Sequence, residues 1–307
     1  MTIEQAGLTI VPKPWGSGDL RPWSPLNDLS GPVGELWFER APRGPPQSLP
    51  HPLPKLLLKL LFPMEPLSIQ VHPDDAFAHA RGLEHGKSEA WYILSASPGA
   101  RIGLGLKKPL QPEALGEAIA DGSIKDLVSW RTVRVGEVVS VPAGTIHAIG
   151  AGLVIAEIQQ RSDVTFRLFD YGRDRPLHAA DALAVAHCGP PPRQTPPHPL
   201  TRARILLIAS PFFVLERIDL PAFSRWRLVA DPETWVLGLG GAATVGALGL
   251  APGQALFLEN EGCTLDVGDD GVSALVAYAA NEPAVDLLRD LASLGVETPT
   301  ISLEVRP

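Results

Sequence analysis

Four side chains of this chain have the types and spacing of a metal site: Gln70, His72, Glu89 and His147. Gln70 and His72 lie in a run where Leu67, Ile69 and Val71 alternate with Ser68, Gln70 and His72, the period-two pattern of a half-buried strand. One face of that strand is apolar and the other carries three polar groups in a row. The Gln-x-His spacing sets two ligands about 7 Å apart on that face. Glu89 heads a second strand-like run, Glu89–Leu94, and His147 ends Val-Pro-Ala-Gly-Thr-Ile-His147. Imidazoles, a carboxylate and an amide oxygen suit a borderline or hard divalent ion such as zinc. Four protein ligands with room for water would leave an open, catalytic position. A lone histidine on a strand is ordinarily a hydrogen-bonded core residue. Two histidines in separate Pro-containing motifs, each beside other polar inward groups, favour the metal.

The elements that must position these groups are strands. With 32 prolines and 29 glycines among short β-branched runs, the chain reads as mainly β, a sandwich or a barrel. A small barrel directs alternate side chains inward, so ligands from three strands can converge. Further strands are expected at Gly34–Glu39, Lys55–Phe62, from Arg134 onward, at Leu153–Gln160 and at Asp163–Phe169. Glu157 and Gln159 share a face, opposite Ile158. The Lys55–Phe62 run is too apolar to be exposed, which leaves two readings of Lys59. It is a strand-edge lysine with its head in water, or it faces a substrate. A short helix is expected from Asp74 to Arg81, with Pro73 at its start. A helical insertion is expected over 108–131, with helices at Pro112–Ala120 and Ile124–Trp130.

Residues 41–54 and 189–200 each contain six prolines. The first stretch reads as an extended surface loop and the second as a linker between domains. The chain then divides into 1–188, which holds every candidate ligand, and 201–307. The second part carries expected strands at Ile205–Ala209, Phe212–Ile218, Ser224–Leu228, Thr234–Gly238, Ala255–Leu258 and Val272–Ala279, then a helical tail over Pro283–Leu294. No histidine follows His198, so its expected role is to pack against and stabilise the first domain.

Composition narrows the function classes. A net charge of −8 without a basic stripe argues against nucleic acid. The longest apolar run is short and interrupted by Lys59, so no membrane span is expected. Met1–Gln5 lacks the basic and apolar regions of a signal peptide, and Cys188 and Cys263 are too few for a disulfide framework. The expectation is a soluble cytoplasmic enzyme or binding protein, monomeric or a small homo-oligomer.

Gly136-x5-Pro142-x-Gly144-x2-His147 resembles the second motif of the cupin superfamily, although Ala151 stands where that motif often has Asn. Pro66–Asp75, Gly86-Lys-Ser-Glu-Ala-Trp-Tyr92, Pro142–His147 and Glu157-Ile-Gln-Gln-x-Ser-Asp163-x-Thr-x-Arg167 occur in the order of the type I mannose-6-phosphate isomerases. Lys13-Pro-Trp-Gly16 and Gly34-Glu-Leu-Trp37 look like that family's N-terminal signatures. The resemblance covers residues 10–175 and is closest to the short bacterial form. It implies two cupin-like, jelly-roll β-barrels with a small helical insertion in the first.

It also implies one Zn2+ per subunit, held by Gln70, His72, Glu89 and His147, with Arg167 as an active-site arginine. Lys87 precedes the Glu ligand in Lys-Ser-Glu, where the family often has Lys-Pro-Glu. The implied reaction is the interconversion of mannose 6-phosphate and fructose 6-phosphate through a cis-enediolate. That reaction needs a base for the C1/C2 proton and stabilisation of the enediolate oxygens. Zinc would polarise the sugar oxygens, and Arg167 would stabilise the enediolate or clamp the phosphate. Lys87, Glu157 and Asp163 remain open as the base. Asp163 reads equally well as a turn residue after Arg161-Ser162. Ser68 and Lys59 are candidates to bind phosphate. The alternative reading is a cupin-like sugar-phosphate-binding or regulatory protein without turnover. An iron oxygenase is a third, but Gln70 replaces the first histidine its site would want.

Overall fold

A computed structural model describes residues 2–26, 29–40, 53–230 and 232–292. The surface loop expected over 41–54 falls outside these, apart from Leu53 and Pro54. The fold is mainly β and its strands form three sheets. A six-stranded sheet runs in the order Gly7–Ser17, Val33–Glu39, Leu56–Leu61, Leu153–Gln160, Glu89–Ala96, Val138–Val141. A five-stranded sheet runs Phe166–Phe169, Ile69–Val71, His147–Ile149, Arg101–Leu106, Val128–Thr132. These two face each other as a cupin-like jelly roll. The third sheet has ten strands and takes in the C-terminal half, and the first strand, Thr2–Gln5, pairs with its Ala255–Glu259.

Alternation along the strands assigns each side chain a destination. On the five-stranded sheet, Ile69, Val71, Ile146 and Ala148 turn outward and pack on Leu115, Ile119 and Ala182 of the helices Pro112–Asp121 and Ala179–Val185. Gln70, His72 and His147 therefore turn inward. On the six-stranded sheet, Leu56, Leu58, Leu60, Ala90, Tyr92, Ala156 and Ile158 turn outward against Phe213, Leu215, Trp235, Leu237 and Phe257 of the third sheet. Leu57, Lys59, Glu89, Trp91, Glu157 and Gln159 face the barrel interior. The strand Leu56–Leu61 is buried along its whole length because both of its faces are covered.

Several boundaries differ from the sequence expectation. The helix expected over Ile124–Trp130 stops at Leu127, and Val128–Thr132 pairs with Arg101–Leu106 as a strand. The strand expected over Asp163–Phe169 starts only at Phe166. Val272–Ala279 is the second half of one long strand, Glu261–Tyr278. The Gly268-Asp-Asp-Gly271 sequence inside it bends the strand without ending it. Gly271 there has φ 74°, and its oxygen would sit 2.0 Å from a Cβ on Gly241 (φ 65°). The expected helical tail is instead irregular up to a short strand, Leu288–Asp290, on the edge of Arg225–Ala230. Leu287 and Leu288 join the apolar interior there, and the pairing covers an otherwise open edge.

Candidate active site

Backbone register brings the candidate ligands together. His147 is paired with Gln70, Gln70 with Arg167, Glu89 with Gln159, and Glu157 with both Lys59 and Trp91. Directly opposed residues share a face, so all of these side chains enter one interior. Within it, His72, Glu89 and His147 place one ligand atom each within 4.8 Å of one another, and all three are buried. Glu89 spans the two rings, with Oε2 3.4 Å from His72 Nε2 and Oε1 3.4 Å from His147 Nε2.

The cluster's surroundings suit a divalent cation. His72 Nδ1 donates to the Val164 carbonyl and His147 Nδ1 to the Thr145 carbonyl, each at 2.8 Å. Those bonds fix the tautomers and leave both Nε2 lone pairs pointing inward. Burial, and secondly the charge of Lys87, pushes His72 down to about 3, and burial also lowers His147, so both rings are neutral ligands. Glu89 Oε2 is buried and accepts no well-directed hydrogen bond, although Lys87 Nζ approaches to 2.7 Å. Burial opposes its charge, but the Lys87 ammonium outweighs this and holds Glu89 well below the usual carboxylate range. Gln70 stands beside the triad with its amide nitrogen 3.2 Å from His147 Nε2, while Ser68 Oγ donates to its Oε1 at 3.0 Å. To ligate a metal, Gln70 would have to turn its amide over.

Alternating charges extend from the triad across the six-stranded sheet. Lys87 lies 3.1 Å from His72 Nε2 and 4.0 Å from Glu157 Oε1. Burial lowers the Lys87 ammonium's affinity for its proton, but Glu89 and Glu157 together raise it above the ordinary value, so Lys87 is a cation. Glu157 moves the other way: burial, then the charge of Glu89, lifts its carboxyl to about 7. Lys59 is no strand-edge lysine. It is 2% exposed on an internal strand, with Nζ 3.6 Å from Glu35, 3.7 Å from Glu157 and 3.5 Å from Asp163, over the face of Trp37. Lys13 caps the far end on Glu35 at 3.2 Å.

Asp163 and Arg167 lie toward the open side. The Asp163 side chain is 59% exposed, and the Arg167 side chain is partly buried with its Nε unpartnered. His178 accepts from the Arg167 backbone N–H at 3.2 Å and fixes that segment. A cavity of about 630 Å³ is lined by Asp75 and Gln160, whose side chains hold Gly86 N and Ser88 N. It does not include the triad, so the chemistry of the residues locates the site and cavity size does not. Trp91 escaped the sequence reading as a site residue. Its Nε1 donates to both Glu89 Oε1 (3.1 Å) and Glu157 Oε2 (3.0 Å). Its place two residues after Glu89 on the same strand face was the available signal. Glu35 escaped in the same way, two residues before Trp37.

No protein-family model matches the chain. The mannose-6-phosphate isomerase of Streptococcus mutans is 36% identical over 242 residues, which is 75% of either chain. Among solved structures, the mannose 6-phosphate isomerase of Bacillus subtilis superposes with a TM-score of 0.77 at 23% identity, over 91% of this chain and all of that one. A mannose 6-phosphate isomerase bound with zinc and yttrium gives 0.71 at 16% identity, over 91% of this chain and all of that one. By its fold and by its similarity to the streptococcal enzyme over three quarters of its length, the chain belongs to the mannose-6-phosphate isomerase family.

Proposed function

We propose that this enzyme is a zinc-dependent aldose–ketose isomerase that interconverts mannose 6-phosphate and fructose 6-phosphate, with residues 1–188 as the catalytic part. The observation that carries the metal is the triad itself: two tautomer-fixed histidines whose free Nε2 atoms face one buried carboxylate, Glu89, which spans them at 3.4 Å each. His72, Glu89 and His147 would hold the ion, with Gln70 as a fourth ligand once its amide turns. When bound, zinc supplies a Lewis acid for the sugar's C1 and C2 oxygens.

The remaining roles follow from charge. Glu157 is the proton carrier between C2 and C1, because it is a buried carboxyl beside the triad on the same strand face, and burial raises its affinity for a proton. Trp91 and Lys59 hold that carboxylate in place. Lys87, kept as an ammonium, stabilises negative charge on the cis-enediolate. Ser68 and Lys59 face inward and are already partnered, so phosphate binding falls to Arg167 at the partly open side, and Asp163 anchors Lys59.

The test is solvent exchange. Zinc-loaded protein in deuterated water should label the sugar phosphate at the position the proton vacates, read by NMR. Binding of mannose 6-phosphate with neither exchange nor conversion to fructose 6-phosphate would favour the non-catalytic binding protein.

A further inference from the structure

Gln159 is fully buried on the inward face of its strand, paired with Glu89 on one side and Leu57 on the other. Its amide nitrogen donates to the carbonyls of Gln160 and Ser162. Two carbonyl acceptors admit only the NH2 end, so the orientation of the amide is determined. The other end, Oε1, is buried and has no hydrogen-bond partner. An orphaned buried amide oxygen is costly, and native interiors rarely tolerate one without a reason. Its neighbours on this face are Glu89 and Glu157. The turn it grips contains Asp163, whose side chain is largely exposed, and Val164, whose carbonyl holds His72. Gln159 thus shares the strand face of Glu89 and Glu157 and grips the segment whose Val164 carbonyl holds His72.

We infer that Gln159 Oε1 is the acceptor for one hydroxyl of the bound sugar phosphate. This rests on the isomerase reading of the site and adds a substrate contact to it. A neutral acceptor suits a neutral O–H donor, and the two Nε2 bonds preset its direction, so little order is lost on binding.

The test is a cycle of ligands against variants in the zinc-loaded full chain. Mannitol 6-phosphate, which cannot isomerise, and its mono-deoxy analogues would be titrated by calorimetry against wild type, Gln159→Leu and Gln159→Met. Zinc content would verify that the variants are folded. Expected are about tenfold weaker binding of mannitol 6-phosphate by both variants, and one deoxy analogue that wild type and variants bind equally. Equal weakening for every analogue would overturn the inference, because it marks Gln159 as only a tether for the turn. Wild type that binds none of these ligands would instead sink the isomerase reading, and this contact with it.

Discussion

Both halves of the molecule bury charge, and they do it in opposite ways. In the C-terminal sheet, Arg204 and Glu216 form a bidentate pair at 2.7 and 2.8 Å, 3% and 0% exposed. Tyr278 donates to Glu216 at 2.6 Å, and Arg204 also donates to the carbonyls of Ala284 and Val285. Among the described residues of that half, no buried side-chain polar atom lacks a partner. In the first barrel, Gln159, Arg161 and Arg167 each leave one unpartnered, and Glu89 Oε2 accepts no well-directed hydrogen bond although Lys87 Nζ lies 2.7 Å away. Three of those four point to the interior that holds the triad or share its strand faces. A buried pair that uses all of its donors and acceptors fixes a conformation. A buried cluster with donors and acceptors to spare is organised for something that arrives later.

Mutations on the two sides should therefore separate binding and rate from stability. The largest effect is expected for His147→Ala, which removes a ligand from the triad. Zinc affinity, measured against a chelator, should fall by more than the roughly 10–100-fold typical of losing an outer-shell partner, and activity should fall with it. Glu157→Gln should keep its zinc and lose about 10²–10⁴ in kcat. In wild type, kcat/KM should rise with pH as Glu157 gives up its proton, with zinc on Glu89 setting the limb below the metal-free value of about 7, and this limb should vanish in the variant. The same group has a stability signature with a definite sign. Its folded-state value lies above the ordinary 4.5, so the folded metal-free protein holds a proton that the unfolded chain has lost. Glu157's contribution is therefore full below about 4.5 and is lost as pH rises through about 7.

On the structural side, Glu216→Ala strands the Arg204 guanidinium in the interior. It should cost about 3–5 kcal/mol in denaturant unfolding while the folded enzyme keeps its kcat. A smaller loss, about 1–2 kcal/mol, is expected for Gln194→Ala. The Gln194 side chain closes on the N–H and C=O of Ser140 and covers the edge strand Val138–Val141. A kcat change in Glu216→Ala would blur the contrast between the two halves.

The sequence exposed all three residues of the triad and the strands that carry them, because alternation and the Pro-Ala-Gly-Thr-Ile-His hairpin are local signals. The position of Lys59 was legible only as a problem. A lysine in an apolar run looks like an edge residue until the third sheet covers the outer face and Glu157 and Asp163 arrive from distant parts of the chain. Trp91 and Gln159 were hidden for the same reason: their roles depend on register with Glu89 and Glu157, which no single segment encodes. The sequence pattern starts a strand only at Val272, whereas the strand runs from Glu261, because turn residues such as Gly268-Asp-Asp-Gly271 also make bends within a sheet. The tail was misread as helix because Leu287 and Leu288 fit either period.

The most direct test of the central claim is a coupled assay for fructose 6-phosphate formed from mannose 6-phosphate, on chelator-stripped protein with and without added zinc. If the underpartnered interior of the first barrel is a metal-dependent isomerase site, stripping abolishes activity and zinc restores it in wild type but not in His147→Ala. Full activity in the stripped protein, or none in protein that has verifiably bound zinc, would contradict the account.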